Sequence, residues 1–166
     1  HLSLVTQQEA NLIQKRLLEF TKTNQEGVRD KLHHEALLKG IASHHAGLLP
    51  AWKELIEELF QKGLIKVVFA TETLAAGINM PARTTVISSL SKRTEEGHRL
   101  LFSSEFLQMS GRAGRRGKDT KGYVVAVQNR FEGAREACLL ATSNPNPLMS
   151  QFTPSYGMVL NLLQNY

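Results

Sequence analysis

Apolar residues first recur at helical intervals in Ala10, Ile13, Leu17 and Phe20, just behind Thr6 and Glu9, which have capping-box spacing. A helix is therefore expected to start near Thr6. The polar stretch 21–27 reads as a loop, and residues 30–39 as a second, weaker helix. Residues 40–43 are a short strand candidate, followed by a loop opening on His44, His45, Ala46 and Gly47. The clearest helical pattern spans residues 50–62. Pro50 suits a first turn, Gly63 suits a C-terminal cap, and Trp52, Leu55, Ile56, Leu59 and Phe60 form one apolar stripe.

The period then changes. Residues 64–70 (LIKVVFA) form an apolar, β-branched run of strand length, expected to be buried on both faces as in a parallel sheet. Residues 84–89 (TTVISS) and 123–127 (YVVAV) share that character, with a polar stretch at 91–98 between them. Ser103 or Ser104 can cap a helix that should run to the glycines at 114–117, and residues 131–141 read as another helix. Strands alternating with helices imply right-handed βαβ units, and hence an α/β fold with a parallel sheet flanked by helices. SNPNP at 143–147 breaks the pattern as a linker would, and a last helix at about 155–164 begins something else. No internal repeat or low-complexity tract is evident.

Composition adds limits. The 166 residues fit one domain with a short extension, with 42% hydrophobic and 21% charged residues. The single cysteine, Cys138, allows neither an internal disulfide nor a multi-cysteine metal site. No apolar run approaches the roughly 20 residues that span a membrane, so no membrane partner is expected. The net charge of +5 and pI near 9.5 draw a domain toward polyanions, although such a charge spread over the surface is also ordinary. The first residue is His, and the chain reads as a piece of a longer protein.

Three segments carry candidate chemistry. In QMSGRAGRRG (108–117), Gln108, Arg112 and Arg115 would share one face if the helix continued through them. Gly111 and Gly114 cost a helix about 1 kcal/mol each relative to alanine, and they allow close approach to a backbone or ligand. Arginine forks bind phosphate bidentately and stay charged, so the face looks like a phosphate clamp; a solvated basic turn is the alternative. ATETLAAGINMPA (70–82) directly follows the LIKVVFA strand, where ligands of open α/β sheets bind. Thr71 or Thr73 could equally be an ordinary N-cap there. In GIASHHAGLLP (40–50), the adjacent His44 and His45 would point to opposite faces of a strand, which serves a metal poorly; no metal site is expected.

Together these segments resemble the superkiller-type DExH-box RNA helicases of helicase superfamily 2, from about residue 40 to the C-terminus. QMSGRAGRRG is similar to that family's motif VI, ATETLAAGINMPA to its motif V, and GIASHHAGLLP to the segment before the preceding helix. FTPSYGMVLNLL (152–163) resembles the entry to a winged-helix domain. The resemblance implies a second RecA-like domain over residues 1–142, a linker over 143–151 and the start of a winged helix over 152–166. It implies that Arg112 and Arg115 reach the triphosphate of ATP as arginine fingers, supported by Gln108. Gly77 and Asn79 would border the nucleotide, with Asn79 standing where many DEAD-box relatives have Asp. Thr71 and Glu72 would lie on the RNA path, with His44 and His45 near it.

What the chain lacks shapes the expectation equally. There is no G-x-x-x-x-G-K-[ST] loop, since Gly117-Lys118 is followed by Asp119, and no D-E-x-H stretch for magnesium. An upstream RecA-like domain would hold ATP and its Mg, and the chain alone should be inactive. Motif IV is not evident either, so the sheet is expected to lack one strand and to expose an edge. The expected parent is an ATP-dependent RNA helicase, acting with RNA and within an RNA-processing or degradation complex. The forms of the motifs resemble bacterial and plastid members, implying a bacterial cytoplasm or a plastid. Two rivals stay open: a DNA helicase with the same motor, and a basic RNA-binding module without ATP chemistry.

Overall fold

The capping box at Thr6 forms as its spacing predicts. The Glu9 amide donates to Thr6 Oγ1 at 3.3 Å, and the Thr6 amide donates to the Glu9 carboxylate at 2.8 Å. Helix α1 (Gln7–Thr23) grows from it and buries Ile13, Leu17 and Phe20. The computed structural model describes residues 3–24, 31–71, 80–95, 97–145 and 155–165. After α2 (Lys31–Leu38), Gly40 turns the chain at φ +79°, where a Cβ would stand 2.6 Å from the Val5 side chain. The expected strand therefore begins one residue later, as β1 (Ile41–His44).

Helix α3 (Pro50–Gln61) has Pro50 in its first turn and buries Trp52, Leu55, Ile56 and Leu59, the predicted stripe. It leads into β2 (Val67–Ala70), which pairs parallel with β1 from Ile41↔Val67 to His44↔Ala70. The first core cluster lies here, joining α1, α2, β1 and α3 with Ile65 and Met80. Each fully buried Leu or Ile in it contributes about 1.5–3 kcal/mol.

Beyond it come β3 (Thr84–Ile87), β4 (Ser91–Thr94), β5 (Gly97–Leu100), α4 (Ser103–Ser110), β6 (Tyr123–Ala126), α5 (Ala134–Thr142) and α6 (Tyr156–Asn165). β3 and β6 pair in parallel, from Thr84↔Tyr123 to Ile87↔Ala126. Ile87, Leu90, Leu101, Phe106 and Leu140 form a second core cluster. Parallel strands linked through helices establish the expected α/β class.

One element was unforeseen, and two expectations need correction. The polar stretch 91–98 opens an antiparallel hairpin, β4–β5, in which Lys92 faces Arg99. Like charges opposite one another destabilise a hairpin. Here both cations reach Glu105, Lys92 at 2.5 Å and Arg99 at 2.9 Å, which offsets the repulsion. Helix α4 stops at Ser110 with Gly111 as its cap, short of the glycines at 114–117. Strand β2 is not buried on both faces: Phe69 is 68% exposed, and among the described residues β2 pairs with β1 alone.

Two carboxylates tie the elements together. Arg16 of α1 donates from Nε and Nη2 to Glu58 of α3, and Lys62 adds a contact at 2.6 Å. The Arg16 hydrogen bonds, with Lys62, pull the Glu58 pKa down to about 2. Those from Arg99, with Lys92 and the Phe102 amide, pull Glu105 down to about 2. Folded pKa values below the unfolded ones give stability that is present above the ordinary carboxylate range and lost as pH falls toward 2. Solvent screening limits each cluster to on the order of 1 kcal/mol. Denaturant unfolding of the chain should show stability falling between pH 5 and pH 2.5, with a smaller fall in Glu58→Gln. Equal slopes for the two proteins would remove Glu58 from this role.

Candidate functional site

The segment after α4 is held by backbone, not by helix. The Ala82 amide donates to the Arg112 carbonyl at 2.9 Å, and the Gly114 amide donates to the Ala82 carbonyl at 2.7 Å, forming a parallel bridge between Ala82 and Ala113. Two residues later β3 begins pairing with β6 instead. The chain thus leaves the ladder at Gly114 and returns at Gly122, and the arginine-rich stretch between them is a loop with a closed neck. Both neck residues are glycines for a steric reason. A Cβ on Gly122 would meet the Ala113 carbonyl group and the Gly114 nitrogen at 2.6 Å; one on Gly114 would lie 3.3 Å from the Gly122 Cα, at φ +91°. The close backbone approach expected of Gly114 is present, whereas Gly111 faces only its own helix at Leu107.

Within the loop, Arg115 and Asp119 close a tight turn. The Lys118 and Asp119 amides donate to the Arg115 carbonyl at 3.0 and 2.9 Å, and Gly117 takes φ +74°. Arg115 donates from Nε and Nη2 to the two Asp119 oxygens, both at 2.8 Å, and its amide donates to Oδ2 at 3.0 Å. Asp119 is nearly buried, with 8% of its side chain exposed, while Arg115 is 41% exposed. The Arg115 side-chain hydrogen bonds, with the Arg115 amide and the Arg83 charge, hold the Asp119 carboxyl far below the usual carboxylate range. The arginine's pKa is raised by the same pair.

Gln108, Arg112 and Arg115 do not share a helical face. Gln108 is exposed on the last turn of α4, while Arg112 and Arg115 lie beyond its cap. Two glycines that weaken a helix end it here, and the bridge to Ala82 replaces the lost helical bonds. The arginines are placed by tertiary contact.

The other candidates sit at the carboxyl ends of β1 and β2. The Thr71 amide donates to the His44 carbonyl at 3.3 Å, so these two segments meet. His44 is not at the surface: it is 3% exposed, and its Nε2 lies 3.0 Å from Glu57 Oε1 of α3. The last residue of β1 alternates inward, where the Glu57 carboxylate partners one nitrogen of the buried ring. His45, just past the end of β1, is half-buried and accepts a hydrogen bond from the Gly47 amide at Nδ1, 3.2 Å. Thr71 is exposed. Glu72, Gly77 and Asn79, and the alternative cap at Thr73, lie outside the described residues.

Comparison with known proteins decides what kind of domain carries this loop. The profile described as helicase conserved C-terminal domain matches residues 3–117. This chain belongs to that family. It is 59% identical over 155 residues to a protein of Arabidopsis thaliana named DExH-box ATP-dependent RNA helicase DExH15 chloroplastic, covering 93% of this chain and 13% of that protein. It is 51% identical over 129 residues to the probable helicase HelY of Mycobacterium tuberculosis, covering 78% of this chain and 14% of that one. It is 42% identical over 158 residues to Superkiller complex protein 2 of Mus musculus, covering 94% and 13%. The kinship with superkiller-type helicases expected from motifs V and VI is thus present along most of the chain, which spans 13–14% of the length of these relatives. Among the described residues no helix is long and apolar enough to cross a membrane.

In this helicase C-terminal domain two residues of the loop escaped sequence reasoning. Asp119 stands four residues after Arg115, a spacing open to inspection, but in the sequence it stands out only as the break in a phosphate-loop pattern. Gly122 carried no signal, because its neighbour across the neck is distant along the chain.

Proposed function

We propose that this domain is the C-terminal motor half of an ATP-dependent RNA helicase. An upstream RecA-like domain would complete the ATPase cleft and hold ATP with Mg. The observation that carries the reading is the arginine loop: a half-exposed guanidinium mounted on a glycine-necked loop whose first end is tied to Ala82 and whose second is tied to Arg83. Such mounting suits a charge that must meet a phosphate at a defined place, because little of it moves when the charge is engaged. The chemistry ATP supplies when bound is transfer of its terminal phosphoryl group to water. Arg115 and Arg112 would face that group, with Gln108 exposed beside them and Gly77 and Asn79 bordering the nucleotide.

Thr71, Glu72 and His45 would line the RNA track, with Thr71 toward phosphate. His44, paired with Glu57 inside the domain, would fix the His45 loop and not touch RNA itself. The RecA-like unit would occupy residues 1–142, joined by a linker at 143–151 to a winged helix starting at 152. The names of the relatives, one an RNA helicase called chloroplastic and one a superkiller complex protein, support an RNA substrate, membership of a complex and a plastid setting; that the complex processes or degrades RNA, and a bacterial cytoplasm as the other setting, belong to the proposal.

The chain by itself tests this reading. It should turn over no ATP with or without RNA, because it has neither the phosphate-loop lysine nor the magnesium carboxylates in its sequence. It should bind single-stranded RNA weakly, with little sequence preference. Affinity should fall with salt at a log–log slope of about −0.7 per neutralised phosphate, over only a few phosphates. Turnover by the pure chain, or strong preference for one RNA sequence at fixed salt, would refute the motor-half assignment.

A further inference from the structure

The bidentate contact between Arg115 and Asp119 uses only one edge of the guanidinium. Nε and one Nη2 hydrogen are taken by the carboxylate. The outer edge, Nη1 with the second Nη2 hydrogen, makes no hydrogen bond among the described residues. A guanidinium carries five N–H donors in a fixed fork, so one edge can be gripped while the other binds an oxyanion. Asp119 has the less exposed side chain of the pair and Arg115 the more exposed one, so the carboxylate grips the guanidinium from its sheltered side. The same carboxylate also accepts the Arg115 amide, which ties the side chain to its own backbone turn. That turn is closed by Gly114 and Gly122 and bridged to Ala82, leaving the carboxylate a fixed base.

We infer that Asp119 is the positioning residue of the arginine finger: it holds Arg115 by its inner edge throughout the ATPase cycle and presents the outer edge to the phosphate. This rests on the reading of Arg115 as the phosphate-facing arginine. Asp119 touches neither nucleotide nor RNA. It removes the rotamer freedom of a long side chain, a cost otherwise met at the transition state. A carboxylate that instead had to be displaced by the incoming phosphate would be an inhibitor of turnover, and its removal would raise the rate.

The two cases separate in the longer protein that carries this domain. Asp119→Asn, which keeps the shape but loses the charge and one acceptor, should lower kcat for ATP at saturating RNA by about 10- to 100-fold, the scale of a misplaced group. The KM for ATP should move less than about threefold, since the effect lies in the transition state. Asp119→Glu, which keeps the charge but shifts the guanidinium by a methylene, should also lower kcat, by about tenfold, so the test survives if the first variant does not fold. In an Arg115→Ala background neither substitution should lower turnover further. An equal loss in both backgrounds would mean that Asp119 only supports the loop, and unchanged or increased turnover in the single variants would overturn the inference. If Arg115→Ala is itself near normal, the finger reading falls as well. If Arg115→Ala is inactive while Asp119→Asn and Asp119→Glu are normal, only the positioning role falls.

Discussion

Arg115→Ala in the longer protein is expected to lower ATP turnover at saturating RNA by about 10³- to 10⁵-fold, the range of an arginine finger. At 1.36 kcal/mol per decade this is about 4–7 kcal/mol of transition-state stabilisation. Arg115→Lys should be nearly as damaging. A lysine keeps the charge, but a single ammonium cannot be gripped on one edge by both Asp119 oxygens and donate from another. Arg112→Ala should behave like Arg115→Ala, since its backbone is fixed by the Ala82 bridge immediately before the loop neck. Arg116→Ala should be milder. Arg116 is exposed, and its neighbour Arg115 takes the carboxylate. Nucleotide affinity, measured separately, should fall far less than turnover, because the upstream domain would hold most of the nucleotide. Near-normal turnover in both Arg112→Ala and Arg115→Ala would make the basic loop ordinary surface or RNA track.

The second large effect is expected from a methyl group. Gly122→Ala would drive a Cβ into the Ala113 carbonyl group and the Gly114 nitrogen, all at 2.6 Å and all backbone. A flexible side chain could yield; the Ala113–Gly114 peptide group, held by the bridge to Ala82, cannot do so cheaply. The neck should open, at a cost of about 1–3 kcal/mol in the unfolding free energy of the chain. In the longer protein turnover should fall by about 10²-fold, because displacing a positioned group by an ångström has that effect. Gly63→Ala provides the control. Gly63 has open space around it but φ +72°, so alanine there costs about 1–2 kcal/mol through backbone strain alone. It should destabilise comparably and leave turnover intact. Equal turnover in the two variants would separate the neck from catalysis.

Much of the fold was legible because local signals and packing agree. The Thr6–Glu9 box, the stripe on α3 and the β-branched runs at β2, β3 and β6 each depend on neighbours within a few residues, and each appears within about three residues of its expected limits. The hairpin β4–β5 was missed because its strands are polar. Its stability depends on Glu105, several residues further along, which neutralises Lys92 and Arg99 together. The burial of His44 was not legible, because alternation gives two sides without saying which is buried. The carboxylate of Glu57, brought up by α3, decides that.

The sequence by itself determined the α/β class, the kinship of the domain and the two arginines proposed to face the phosphate, since residue types and short spacings carry these. Only the tertiary structure decided how the arginines are held. The helix expected to array Gln108, Arg112 and Arg115 stops at Gly111, and the shared face it would have made does not exist. In its place a backbone bridge to Ala82, a neck of Gly114 against Gly122 and the carboxylate of Asp119 fix the loop. The physical reason is the range of the forces. Helical periodicity is written in contacts three and four residues apart, whereas the steric limit at Gly122 and the bridge to Ala82 arise only once β3 and β6 lie side by side.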